Sequence, residues 1–248
     1  MDSVERAELF AESIRGDLAK KLRSEGEIKE KNYIDIPKAD GYRSIHLVVR
    51  YKASSSVEVK AHNVEIQIRS LLQHRWATAL ETVDLFTGQT LKNGGGETRW
   101  RRFFALSSSI FAHQEDRPLI PGLPTSLSDL TKEMKDLAGE LQVVKSLQSW
   151  SRVMRDVLKG PRRRDLKGVY CYLVELDVDK SSTQVRRYGP ESLKIAHENY
   201  LASELENESH PHRSTVLVKA YSVREVREAF PGYYGDTKDF LRSLQLIS

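Results

Sequence analysis

A single cysteine, Cys171, stands among the 248 residues, so no intrachain disulfide can form and a multi-cysteine metal site is excluded. That usage suits a reducing, cytoplasmic setting. No apolar run approaches the roughly 20 residues that a bilayer-spanning helix needs, and Met1-Asp2-Ser3-Val4-Glu5 lacks the basic and apolar regions of a signal peptide. A membrane partner is therefore not expected. Excess charge is also scarce: 39 Lys and Arg against 35 Asp and Glu leave a net +4, which suits an anionic ligand but is far from a nucleic-acid-coating tail. Proline is sparse too, and three of its eight copies fall in Pro118–Thr125, which reads as a stiff connector. The expected organisation is a domain over 1–117, the connector over 118–125 and a second region over 126–248. There is no internal repeat.

What the chain does have is periodic apolar segments. Val4, Leu9, Ile14, Leu18 and Leu22 keep approximate helical spacing among charged residues, predicting one amphipathic helix. Tyr33–Pro37 reads as extended, because proline biases its predecessor away from the helical region. From Ser44 to Tyr51 the residues Ile45, Leu47, Val49 and Tyr51 alternate with Ser44, His46, Val48 and Arg50; after a turn at Ser54–Ser56, Val64, Ile66 and Ile68 alternate with Glu65, Gln67 and Arg69. Two neighbouring strands would then share one polar face carrying His46, Arg50, Glu65, Gln67 and Arg69. Leu71 to Phe86 reads as a helix grouping His74, Ala77, Thr78 and Glu81, Asn93–Gly96 as a break, and Trp100 to Phe111 as a helix with an aromatic stripe. Beyond the connector we expect one long helix from Ser128 to Leu158, a basic turn at Lys159–Arg162, a strand over Val169–Val178, a helix over Glu191–Leu205 and a strand over Thr215–Tyr221. Helices over Val223–Phe230 and Asp236–Leu246 complete a small α/β unit. The basic clusters Arg99–Arg102 and Arg162–Arg164 read as solvated faces.

The polar residues concentrate at Lys38, Tyr42, Arg43, His46, Glu65, Gln67, Arg69 and His74. Lys, Arg and His can meet phosphates, Tyr42 beside Gly41 can offer a ring to a base, and one carboxylate among cations can hold Mg²⁺ or accept a proton. The residues alone favour a plainer reading, a half-exposed sheet whose outer face is simply polar.

Pro37-Lys38-Ala39-Asp40-Gly41-Tyr42-Arg43-Ser44-Ile45-His46, then Glu65-Ile66-Gln67-Ile68-Arg69-Ser70, then His74-Arg75-Trp76-Ala77 with Glu81, resembles the acceptor half of the RelA/SpoT synthetase domain over about Asn32 to Phe111. The resemblance implies an α+β fold, a nucleotidyltransferase-like mixed sheet flanked by helices, with a small C-terminal α/β unit after it. It also implies transfer of pyrophosphate from ATP to the ribose 3′-hydroxyl of GDP or GTP. By that resemblance Tyr42 would stack on the acceptor guanine, Lys38 and His46 would contact its phosphates, and Arg43 would belong to the same nucleotide site. Glu65 would be the catalytic carboxylate and would help hold Mg²⁺; Gln67 and Ala77 would border the guanine, with Arg69 and His74 supporting the pocket.

Asp40 stands where the family often has Asn, and Ser70 where it often has Thr. Neither the Arg-x-Lys-x-x-x-Ser-Ile segment that grips ATP in the family nor its Asp-x-x-Gly-x-Arg strand is found, and the chain begins about where those would end. The expectation is therefore either an internal start in a longer gene or a degenerate domain. Three functions compete: alarmone synthesis, a non-catalytic guanine-nucleotide-binding regulator, and a toxin-type synthetase acting on tRNA 3′ ends. His197, His210 and His212 read as surface residues, not metal ligands.

Overall fold

The computed structural model describes residues 2–21, 28–51, 62–158, 170–177, 180, 182–207, 209–210, 213–220 and 236–247. Leu22, the Ser54–Ser56 turn, the basic turn at Lys159–Arg162 with Arg162–Arg164, the helix expected over Val223–Phe230 and His212 lie outside the described residues. By internal contacts the chain groups into two units, Met1–Ala77 with Arg101–Lys135, and Thr78–Trp100 with Asp136–Ser248. The proline connector at 118–125 lies inside the first.

The first unit opens with helix α1 (Val4–Lys21) and a three-stranded sheet ordered β1 (Ile28–Asn32), β2 (Ile45–Tyr51), β3 (His62–Ile68). Both pairings are antiparallel, and β2 faces β3 with Ile45 opposite Ile68, Leu47 opposite Ile66 and Val49 opposite Val64. That register gathers the apolar residues on one face, as the alternation predicts. Helix α1 covers this face with Val4, Ala7 and Ala11, backed by Ile14, and they form one buried cluster with Ile34, Ile45, Leu47 and Ile68. Each fully buried aliphatic side chain in such a cluster contributes about 1.5–3 kcal/mol. The buried stripe differs from the expected one: Leu9 is 65% exposed, because two alanines take the inward positions and let the helix backbone approach the sheet. Tyr33–Ile36 is a turn and not extended, since the Asn32 side-chain oxygen accepts the backbone N–H groups of Ile34 and Asp35.

Helix α2 (Leu71–Thr87) starts on a reciprocal cap: Ser70 Oγ accepts the Gln73 N–H at 3.2 Å and Gln73 Oε1 accepts the Ser70 N–H at 3.1 Å. Helix α3 (Thr98–Gln114) carries the expected aromatic stripe inward, with Phe103 and Phe104 fully buried. The Trp76 indole donates to the Phe104 carbonyl at 2.8 Å. Gly41, at φ +97°, sits so close that a Cβ would meet Ser108 Cβ at 2.9 Å. Arg102 forks onto Glu133 at 2.6 and 2.9 Å, so this member of the basic cluster is an ion pair, as a solvated face allows.

The single helix expected from Ser128 to Leu158 is two, α4 (Leu127–Glu140) and α5 (Val143–Leu158), parted where Gln142 turns to φ +48°. In the second unit β4 (Tyr170–Asp177) runs centrally between β5 (Ser182–Tyr188) and β6 (Arg213–Ala220), all antiparallel. Four consecutive residues of β4, Cys171 to Val174, are buried, so both faces of the strand are covered. Helices α5 and α6 (Leu193–Asn207) pack against this sheet, and α7 (Asp236–Ser243) packs on α5. The fold is thus mixed helix and sheet, although every described strand pairing is antiparallel, where a mixed sheet was expected. No helix among the described residues is long and apolar enough to cross a membrane.

Candidate functional site

The polar face of the first sheet is built by the same register that makes its apolar one. His46 lies opposite Gln67, Val48 opposite Glu65 and Arg50 opposite Asn63, so His46, Arg50, Glu65 and Gln67 share a face, and Arg69 follows one turn of the pleat later. The turn before β2 brings Lys38 and Tyr42 over it. Lys38 N–H donates to the Tyr42 carbonyl at 3.4 Å, Gly41 N–H donates to the Lys38 carbonyl at 2.9 Å, and Asp40 Oδ1 accepts the Tyr42 N–H at 2.9 Å. Asp40 therefore spends its charge shaping the turn, a task that asparagine performs with the same atom.

Tyr42 is the hub. Its hydroxyl lies 2.7 Å from His46 Nε2 and 3.3 Å from Gln67 Oε1, and it accepts from the Arg69 guanidinium at 2.8 Å. His46 Nδ1 in turn meets the Glu65 carboxylate. A carboxylate only accepts, so a neutral imidazole carries its proton on Nδ1 and takes the Tyr42 hydroxyl proton at Nε2. His46 is 7% exposed. Its pKa is held below the usual 6.5, foremost because burial disfavours the charged ring; Glu65 opposes that shift, while Arg69 and Lys38 reinforce it.

Aromatic faces and cations interleave around this network. Lys38 Nζ stands 4.7 Å from the Tyr33 ring centre and 5.0 Å from that of Tyr42, and the Arg69 guanidinium stands 5.1 Å from Tyr42. Tyr33 meets His46 edge-on at 5.1 Å. Arg69 also donates to Gln67 Oε1 at 2.6 Å and keeps its Nε donor buried without a partner. Next to them a hollow of about 340 Å³ is bounded by Gln67, Arg69, Leu71 and His74.

Two of the expected residues stand apart. Arg43 is 3% exposed and turns inward: it donates to Ser108 Oγ at 3.1 Å, the Ile34 carbonyl at 2.9 Å and the Pro118 carbonyl at 2.7 Å. Burial lowers its pKa to about 10, partly offset by Glu115, whose own pKa is raised by burial. Its guanidinium is engaged inside the unit by these three acceptors. Ala77 is buried as well. His46 lies within the network with both ring nitrogens engaged, Nε2 by Tyr42 and Nδ1 by Glu65. Tyr33 was not anticipated, because the polar segment before it did not read as a strand. Among the described residues no group of three His, Cys, Asp or Glu side chains converges to hold a metal. His210 Nδ1 lies 3.0 Å from the Glu206 carbonyl, and exposed His197 stacks on Tyr200.

Residues 11–83 match the family described as the region found in RelA / SpoT proteins. This segment is a RelA/SpoT-type region. The match starts in α1, ahead of the motifs that carry the resemblance, and ends within α2. Within the chain, 51 residues are 39% identical to the GTP pyrophosphokinase YwaC of Bacillus subtilis (strain 168), a stretch covering 21% of this chain and 24% of that relative. A GTP pyrophosphokinase family protein from Streptococcus pneumoniae aligns over 59% of this chain and 64% of its own, at 23% identity and a TM-score of 0.35.

Proposed function

We propose that the RelA/SpoT-type region is the acceptor side of a GTP-pyrophosphokinase-type site, receiving GDP or GTP whose 3′-hydroxyl would take pyrophosphate from ATP. The observation that carries this reading is the Tyr42 hub: an aromatic platform, two cations on its ring and one carboxylate held through His46, all beside a hollow on one sheet face. Transfer of this kind depends on positioning and charge neutralisation more than on covalent chemistry by the protein. In the reading, Tyr42 with Tyr33 supplies the face for guanine, Lys38 and Arg69 meet phosphates, and Gln67 and His74 border the base. Glu65, in the same reading, would take up the 3′-hydroxyl proton.

The residues fit Mg²⁺ only as a shared ligand. Glu65 is the one carboxylate in the network, and it already meets His46, so it would add one oxygen to an ion otherwise held by nucleotide phosphates and water. Bound there, Mg²⁺ would neutralise phosphate charge. The absence of both donor motifs from the sequence favours a second reading for this chain alone, a guanine-nucleotide binder that transfers nothing.

Calorimetric titration with GDP, guanosine and ADP tests the site. GDP should bind more tightly than either, Tyr42→Ala should weaken it by the roughly 1–3 kcal/mol that a base–aromatic stack contributes, and Glu65→Gln without Mg²⁺ should leave affinity level or higher. Equal affinity for GDP and ADP, or indifference to Tyr42→Ala, removes the guanine assignment. Thin-layer separation after incubation with ATP, GDP and Mg²⁺ separates the two readings: product formation by this chain refutes the binder.

A further inference from the structure

The second unit holds a hollow of about 790 Å³, bounded by the α2–α3 connection, α5, α6 and β6, and no part of the RelA/SpoT-type site reaches it. Small-molecule sites run to roughly 300–1,000 Å³. Flat rings make much of its wall. Phe86 and Trp150 lie parallel, 5.3 Å apart and within 3°, while His197 and Tyr200 stack at 6.3 Å and 15°.

The charge of the lining decides what can enter. Its two guanidinium groups are already engaged, Arg99 by Glu97 at 2.6 Å and Arg213 by Asp177 at 3.0 Å. Glu140 and Glu204 line the same hollow, so a phosphate would meet carboxylates and find its cations engaged. Two lining residues, Trp150 and Ser214, each keep a buried polar atom without a hydrogen-bond partner, the indole Nε1 and the hydroxyl Oγ. Both can donate. A guest rich in acceptors would satisfy them.

We propose that this hollow binds an uncharged, planar, acceptor-bearing heteroaromatic molecule of up to nucleoside size, and that it discriminates against the phosphorylated form. It is a different ligand class from the anion expected on the first sheet.

The test uses the full chain with caffeine, which is planar, neutral and rich in acceptors, and with adenosine, followed by saturation-transfer NMR. Both should bind saturably and compete with one another, and ATP should displace caffeine far less well than adenosine does. Tyr200→Ala, at a half-buried position, should weaken both about fivefold, the scale of one lost aromatic contact. Leu217→Trp, which fills the space, should abolish binding in a variant whose melting shows that it is folded; Tyr200→Ala decides the matter if it is not. Tyr42→Ala should leave caffeine binding unchanged. Absence of saturable binding, unchanged affinity in Tyr200→Ala, loss of caffeine affinity in Tyr42→Ala, or ATP displacing caffeine as well as adenosine does would each overturn the proposal.

Discussion

Replacing Tyr42 by phenylalanine isolates the hydroxyl from the ring. The ring and its neighbours stay, but His46 Nε2 loses its partner at 2.7 Å and the Arg69 guanidinium loses an acceptor at 2.8 Å. Arg69 retains Gln67 Oε1 at 2.6 Å, so its loss is at the low end of a hydrogen bond's net contribution, about 0.5 kcal/mol. His46, 7% exposed, is left with a buried unpaired nitrogen, a cost of about 1–3 kcal/mol. The sum is about 2 kcal/mol, which for a chain of this size lowers Tm by about 4–8 °C. A tyrosine that served only as a stacking platform would lose nothing. The His46 resonance gives a second readout: the lost O–H donor favoured the neutral ring, so its pKa should rise in Tyr42→Phe. Melting within about 1 °C of the parent, with an unmoved His46 titration, would refute the hub.

His46 should make stability fall in acid. Its folded pKa lies below the ordinary 6.5, so the unfolded chain binds the proton first, and stability is full above 6.5 and is lost as pH drops from there through the folded value. Urea melts should show this slope in the parent and a flatter one in His46→Gln; equal slopes would count against it. Gly41→Ala should cost about 2–4 kcal/mol in the same assay, from a φ of +97° and a Cβ pressed to 2.9 Å from Ser108 and 3.1 Å from Trp76. A loss under about 0.5 kcal/mol would contradict that packing. Arg43→Met strips the donors from two carbonyls and a hydroxyl, so stability in urea should fall by about 3 kcal/mol or more while the folded protein keeps its GDP affinity. The reverse pattern would return Arg43 to the nucleotide site.

The sheet's two faces could be read in the sequence because β2 and β3 alternate strictly, and the same parity could have separated Arg43 from Tyr42. Position 43 falls in step with Ile45 and Leu47, the buried side, while 42 falls in step with His46. What hid it was residue type, since an arginine beside a tyrosine in a phosphate-like motif reads as a ligand. The edge strands β1 and β5 were missed for another reason. Ile-Lys-Glu-Lys-Asn and Ser-Thr-Gln-Val-Arg-Arg-Tyr are mostly polar, and only pairing with a central neighbour makes them strands. With β1 unread, Tyr33 had no place beside His46. The break between α4 and α5 carries no Gly or Pro, because Gln142 itself takes the left-handed turn. The 790 Å³ hollow draws its wall from residues 85 to 217, a separation at which no local pattern signals convergence.

The arrangement around Tyr42 bears on why a base and a phosphate would be needed together. Lys38 and Arg69 both lie against the ring that the proposed guanine would cover. Stacking a base there displaces at least one of them and forfeits about 0.5–1 kcal/mol of cation–π attraction, a cost that a bare nucleoside must meet from stacking alone. A nucleotide offers the displaced cation a new partner, and charge-assisted bonds to phosphate oxygens are about twice as strong as neutral ones. The gap between GDP and guanosine in the titration is therefore the direct measure of this exchange. If the two bind alike, Lys38 and Arg69 are fixtures of the ring and take no part in holding phosphate.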